Sequence, residues 1–130
     1  MYEAVTRGIR VSVKPAYIED RSDPDEGQFF WAYTIDIHNE GRDPVQLRAR
    51  HWRITDGTGR LEEVRGPGVV GQTPVIQPGA SFSYTSGCPL RTPSGIMMGS
   101  FQMQDVQGDL FDVAVPAFSL DSPYAVRSVN

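Results

Sequence analysis

Cysteine occurs once in this 130-residue chain, at Cys88; lysine occurs once, at Lys14, and histidine only twice. A single cysteine excludes an intrachain disulfide. Uninterrupted apolar runs span only a few residues, as in Val113-Ala-Val115, whereas a membrane helix needs ~20, so no membrane span is expected. The opening Met1-Tyr-Glu-Ala-Val-Thr-Arg has no basic segment followed by an apolar one, so no secretory signal is expected. The single cysteine and the missing signal predict a reducing, cytoplasmic setting. Net charge is −4, which argues against a general polyanion binder, and no direct nucleic-acid contact is expected. No stretch carries helical periodicity over three turns.

What remains is a soluble globular composition, 39% apolar and 22% charged, at a length that suits one domain. Period-2 alternation dominates. Ile9, Val11 and Val13 alternate with Arg10, Ser12 and Lys14, and Pro15 predicts an edge or a bend just beyond them. Glu19–Gly27 reads as an exposed acidic connector, without the D-x-D-x-D-G pattern of a calcium loop. In the strand over 28–39, Phe29, Trp31, Tyr33, Ile35 and Ile37 share one face. Val45, Leu47 and Ala49 open the next strand, after which Trp52 and Ile54 take the other parity. That slip predicts a β-bulge near Arg50-His51. Asp56–Gly59 predicts a hairpin into Leu61–Val64.

Phe82 and Tyr84 mark a short strand, Thr85–Gly95 reads as a connector, and Ile96–Val106 pairs with Leu110–Phe118 across Gln107–Asp109. Seven or so strands predict an all-β, immunoglobulin-like or fibronectin type III-like β-sandwich. The domain is expected over 1–120, with 121–130 as a mobile C-terminal tail. Trp31, Tyr33, Ile35, Leu47, Phe101, Phe111 and Val113 are the expected core. Met97 and Met98 lie on opposite faces, so at least one should be exposed, and Met is enriched in protein interfaces.

Two features stand out against this background. Arg48, Arg50, Arg53, Arg60 and Arg65 crowd one window, with Asp56, Glu62 and Glu63 as their expected ion-pair partners. Immediately after Arg65 come Gly66, Gly68 and Gly71 at G-x-G-x-x-G spacing. A dinucleotide fold needs a helix after such glycines, and Pro74 and Pro78 exclude one. No acidic residue follows ~20 positions later, and no Gly-Lys-Ser/Thr ends the run. Two readings remain: a loop crossing between sheets with positive φ at one or more glycines, or a nest of backbone amides that holds an anion beside Arg65.

Ser81, Ser83, Ser86 and Ser94 lie near no histidine in sequence, and Cys88 before Pro89 has no evident activating base. No catalytic set is expected. His38, His51 and Cys88 show no metal-ligand spacing, so neither a metal nor a cofactor is expected.

Arg50–Asp56, Glu62–Gly71, Tyr84–Leu90, Thr92–Gly95, Gly99–Met103 and Pro116–Leu120 together resemble the ApaG family over roughly residues 3–120. The resemblance implies a fibronectin type III-like sandwich, found as a bacterial single-domain protein and as a module in eukaryotic proteins. Those include an F-box ubiquitin-ligase subunit and a DNA-polymerase-delta-interacting protein. For bacterial members it also implies involvement in cobalt and magnesium efflux, and genetic neighbourhood with a diadenosine tetraphosphate hydrolase. Without a membrane span, any part in efflux would be indirect. Two expectations follow: a non-catalytic module for an unidentified protein partner, or a binder of pyrophosphate-containing nucleotides. Both use Arg48, Arg50, Arg65, Gly66, Gly68 and Gly71. The oligomeric state is left open by the sequence.

Overall fold

The computed structural model describes residues 2–125. Nine strands follow in order: β1 (Tyr2–Thr6), β2 (Ile9–Tyr17), β3 (Phe29–Asn39), β4 (Val45–Asp56), β5 (Leu61–Pro67), β6 (Val75–Ile76), β7 (Ser81–Leu90), β8 (Ser94–Gln104) and β9 (Leu110–Asp121). One sheet runs β1-β2-β3-β7 and the other β5-β4-β8-β9, with β6 also paired to β4. All pairings are antiparallel. The helical content of the described residues is two short 3-10 turns, Glu19–Arg21 and Pro24–Glu26, inside the acidic connector.

Alternation places the core between the sheets. Phe29, Trp31, Tyr33, Ile35 and Ile37 of β3 are all buried, and face Leu47, Trp52, Phe101, Met103, Val113 and Phe118. Trp52 sits centrally, with the rings of Tyr33, Phe101 and Phe118 at 5.5, 5.9 and 6.3 Å. Such tilted aromatic contacts add to the burial term. Phe111 is only partly buried. It lies at the start of β9, under the Arg7 guanidinium at 4.1 Å. Met97 is buried and Met98 half-buried.

Several expectations change. β1 joins β2 through Arg7-Gly8, both at positive φ (48° and 78°), a two-residue hairpin turn. Pro15 does not end β2, which runs on to Tyr17. Past Val13, however, β2 has no β1 partner, so the proline stands where one side is an edge. β7 continues through Leu90 where a connector was expected, because β3 offers it a partner along its whole length. A Cβ at Gly87 would run into the Phe30 ring, and Pro89 is tolerated because β7 is an edge strand. The bulge in β4 falls between Leu47 and Ala49, earlier than Arg50-His51. A second irregularity sets Pro116 and Ala117 against Met98.

The described part of the expected tail, residues 121–125, makes contacts with the sandwich. The Asp121 carbonyl accepts the Trp31 indole N–H at 2.8 Å. The Tyr124 hydroxyl donates to Glu19 at 2.8 Å, and its ring lies 6.2 Å from that of Tyr17. The remainder of the expected tail, 126–130, lies outside the described residues.

Candidate functional site

The glycine segment does not cross between the sheets. β5 and β6 pair with successive parts of β4, and residues 68–74 form an excursion between them. The Pro74 carbonyl accepts the Leu47 N–H at 3.0 Å as the chain returns. The crossing comes later, at Pro78-Gly79, where the Gly79 N–H donates to the Asn39 carbonyl at 2.7 Å.

Each glycine serves a different need. Gly66 lies inside β5 opposite Arg50, and a Cβ there would stand 3.0 Å from the guanidinium. Gly68, at φ 59°, could carry no side chain without meeting the Gln72 carbonyl. Gly71, at φ 78°, follows Val70 at φ 43°. These two form the apex of a tight turn that the Val69 and Gln72 amides close, each donating to the other residue's carbonyl at 2.9 and 2.8 Å.

That geometry uses most of the amides an anion nest would need. Pro67 has no N–H, the Gly68 amide donates to the Arg48 carbonyl at 2.8 Å, and the Val69 amide is spent within the turn. The Val70 and Gly71 amides remain for a ligand at this loop.

The arginines divide by direction. With the bulge at Arg48, Arg50 takes the parity of Trp52 and points between the sheets. Its Nη1 donates to the Pro67 and Gly68 carbonyls at 2.9 and 3.1 Å. Arg48 is exposed and reaches Gln46 Oε1 at 3.3 Å. Arg53 and Arg65 are exposed on the outer face. The expected pairing with Asp56, Glu62 and Glu63 does not form: among the described residues none of these five arginines has a carboxylate within 4 Å. Asp56 is occupied by its own turn, where Thr58 and Arg60 donate to Oδ1. Those hydrogen bonds, led by the Thr58 side chain, hold its pKa below the ordinary value. Glu63 lies 3.4 Å from His51 Nε2.

Around Arg65 the outer face is concave. A depression of about 330 Å³ is lined by Arg65, Gly66, His51, Ser100, Gln102 and Asp112 among others. Sequence spacing gave no sign of it, because cross-strand register assembles it from β4, β5, β8 and β9. Register also brings together His38 and Ser81, with Nδ1 and Oγ sharing a hydrogen bond at 2.7 Å. A working nucleophile–base pair needs an orienting group and oxyanion donors. Among the described residues, the side chains of this pair bond only to each other. Cys88 is buried, and desolvation pushes its pKa up to about 11, far from a reactive thiolate. No group of three or more His, Cys, Asp or Glu placed to hold a metal occurs among the described residues. No helix among them is long and apolar enough to cross a membrane.

The comparisons with known proteins agree with one another. The family model of the ApaG domain matches residues 19–105. The ApaG protein of Mesorhizobium japonicum is 59% identical, and that of a Methylobacterium species 60%, over 100% of both chains in each case. The crystal structure of the ApaA protein from Bordetella pertussis superposes with a TM-score of 0.86 at 48% identity, covering 90% of this chain and 95% of that one. A protein from Archaeoglobus fulgidus, at 10% identity and a TM-score of 0.54 over 88% of this chain and 98% of its own, shares the fold alone. With the sandwich, the glycine excursion and these full-length matches in place, the chain belongs to the ApaG family.

Proposed function

We propose that this chain is a non-catalytic, cytoplasmic protein-interaction module. On this reading its sandwich is of the fibronectin type III kind, a label supported by the strand orders β2-β3-β7 and β5-β4-β8-β9. One observation carries the function: Arg48, Arg53 and Arg65 are exposed, with no carboxylate within 4 Å among the described residues. Unpaired guanidinium groups suit bidentate contact with a partner's carboxylates. Arginine is also among the residues enriched in interfaces and their hot spots. Val70 at the turn apex and Val75 on β6, 51% and 57% exposed, add apolar contact area on the excursion that joins β5 to β6. Any influence on cobalt or magnesium levels would pass through such a partner.

Charge reversal tests the reading. Proteins retained by the immobilised wild-type chain should be lost with Arg48→Glu/Arg65→Glu, while urea unfolding of that variant stays within about 0.5 kcal/mol of wild type. Equal retention by both chains would count against the arginine face. The nucleotide reading forecasts instead saturable amide shifts at Gly66, Gly68 and Gly71 with pyrophosphate, ATP or diadenosine tetraphosphate, weakened about tenfold by Arg65→Ala.

A further inference from the structure

A second concavity lies on the other side of the arginine-bearing strand, between the sheets and behind the Val69–Gln72 turn. Its volume is about 210 Å³, room for several waters or a small ligand. Tyr33, Trp52, Tyr84, Ser86 and Arg50 line it, closed by Val69-Val70-Gly71. Among the described residues no carboxylate lines this space. Tyr84 is 8% exposed, and its buried hydroxyl has no hydrogen-bond partner among the described residues. Buried hydroxyls are ordinarily satisfied, so an unpaired one asks what it serves. Arg50 spends Nη1 on the two loop carbonyls, which leaves Nε and Nη2 as donors.

We propose that this cavity is a binding site for a small carboxylate anion, received by the Arg50 guanidinium and the Tyr84 hydroxyl. The chemistry is matched in sign and number. One fixed cation faces one negative charge, and the guanidinium and phenol supply N–H and O–H donors to two carboxylate oxygens. A phosphate dianion would carry a second charge into a partly desolvated space that holds no second cation, which is costly. The aromatic walls of Tyr33 and Trp52 exclude water and strengthen the charge-assisted contacts. The donors face away from the exposed arginines: Arg50 takes the inward parity of Trp52, while His51, next along β4, and Arg65, opposite His51 on β5, point outward, although Arg50 also borders the outer depression.

The test uses the intact chain. Sodium acetate is titrated against sodium chloride at matched ionic strength, following the amide resonances of Gly71 and Ser86. Saturable shifts specific to acetate are expected, stronger than with inorganic phosphate. Tyr84→Phe keeps the ring and removes only an unpaired hydroxyl, so its melting temperature should hold or rise while acetate affinity falls about tenfold or more. Arg50→Lys, which keeps the charge but loses the fork, should weaken acetate as well. Three outcomes would overturn the site: acetate shifts no larger than the chloride control, as for a cavity holding water alone; unchanged affinity in Tyr84→Phe; or phosphate binding tighter than acetate.

Discussion

Trp31 joins the core to the end of the described chain. It is 1% exposed, its indole donates to the Asp121 carbonyl, and its ring lies 5.5 Å from that of Tyr17. Trp31→Ala should cost ~3–5 kcal/mol; an effect below about 1 kcal/mol in urea unfolding would show that the cavity collapses freely. Cys88 gives a prediction in pH. Burial, with a smaller contribution from Glu62, raises its folded pKa to about 11, above the ~8.5 of an unfolded thiol. The folded chain therefore holds this proton more tightly. Its contribution to stability is complete below the unfolded value and is lost as pH rises from there through about 11. Native protein at pH 8 should react with a thiol reagent no faster than it unfolds, and Cys88→Ala should flatten the first part of the alkaline decline. Rapid native-state labelling would refute the burial. Trp31 was legible in the sequence because alternation reports burial directly; Cys88, in a stretch that reads as a connector, was not. Arg50 was not: its place in a polar strand face hid that the bulge at Arg48 turns it inward.

At the scale of elements, local pattern fixed most of the strands, while tertiary pairing decided the rest. β3, β8 and β9 announce themselves by long alternation. β7 does not, since Thr85-Ser-Gly-Cys-Pro has turn composition, and only its continuous pairing with β3 makes it a strand. β1 is short and carries little pattern, and Arg7-Gly8 lacks the usual Asn-Gly signature of the two-residue turn that joins it to β2; Val70-Gly71 repeats the same residue order at a second turn. In both, a non-glycine residue holds positive φ. For Val70 this is a β-branched side chain in the left-handed region, where an L-residue other than glycine costs roughly 1–2 kcal/mol. Asparagine tolerates that region and favours this turn position. Val70→Asn should therefore stabilise the chain by about 1 kcal/mol, because the valine is half exposed and gives up little burial. It should appear as a higher urea midpoint with an unchanged slope. A fall in the midpoint would show that Val70 packs for more than its strain costs.

The whole molecule is asymmetric between its two sides. On one side the sheets are tied together: Thr6 Oγ1 accepts the Ala114 N–H at 3.2 Å, and the Tyr2 ring lies 6.1 Å from that of Phe118. On the other, β5 and β7 are the edge strands without a second partner among the described residues. A cleft of about 610 Å³ opens there, lined by Ile54, Leu61, Glu62, Leu90 and Arg91 among others. Edge strands invite unwanted pairing, and these carry the usual deterrents, charges at Glu62, Glu63 and Arg65 on β5 and Pro89 on β7. Among the described residues β5 pairs with β4 alone and buries none of its residues fully. Little apolar contact therefore holds it, and local opening should cost much less than global unfolding. The two sides should separate in native-state hydrogen exchange. Amides of β3, β4 and β8, each between two neighbours, should exchange only through global unfolding and follow its full denaturant dependence. Amides of Glu62–Arg65 should exchange at least about tenfold faster with little denaturant dependence, since a gap of 1.4 kcal/mol already gives that ratio. Mass spectrometry of peptides covering 57–67 against 29–39 makes the comparison. Equal protection of the two peptides would mean that β5 opens only with the whole sandwich, and that the open side is as firmly held as the tied one.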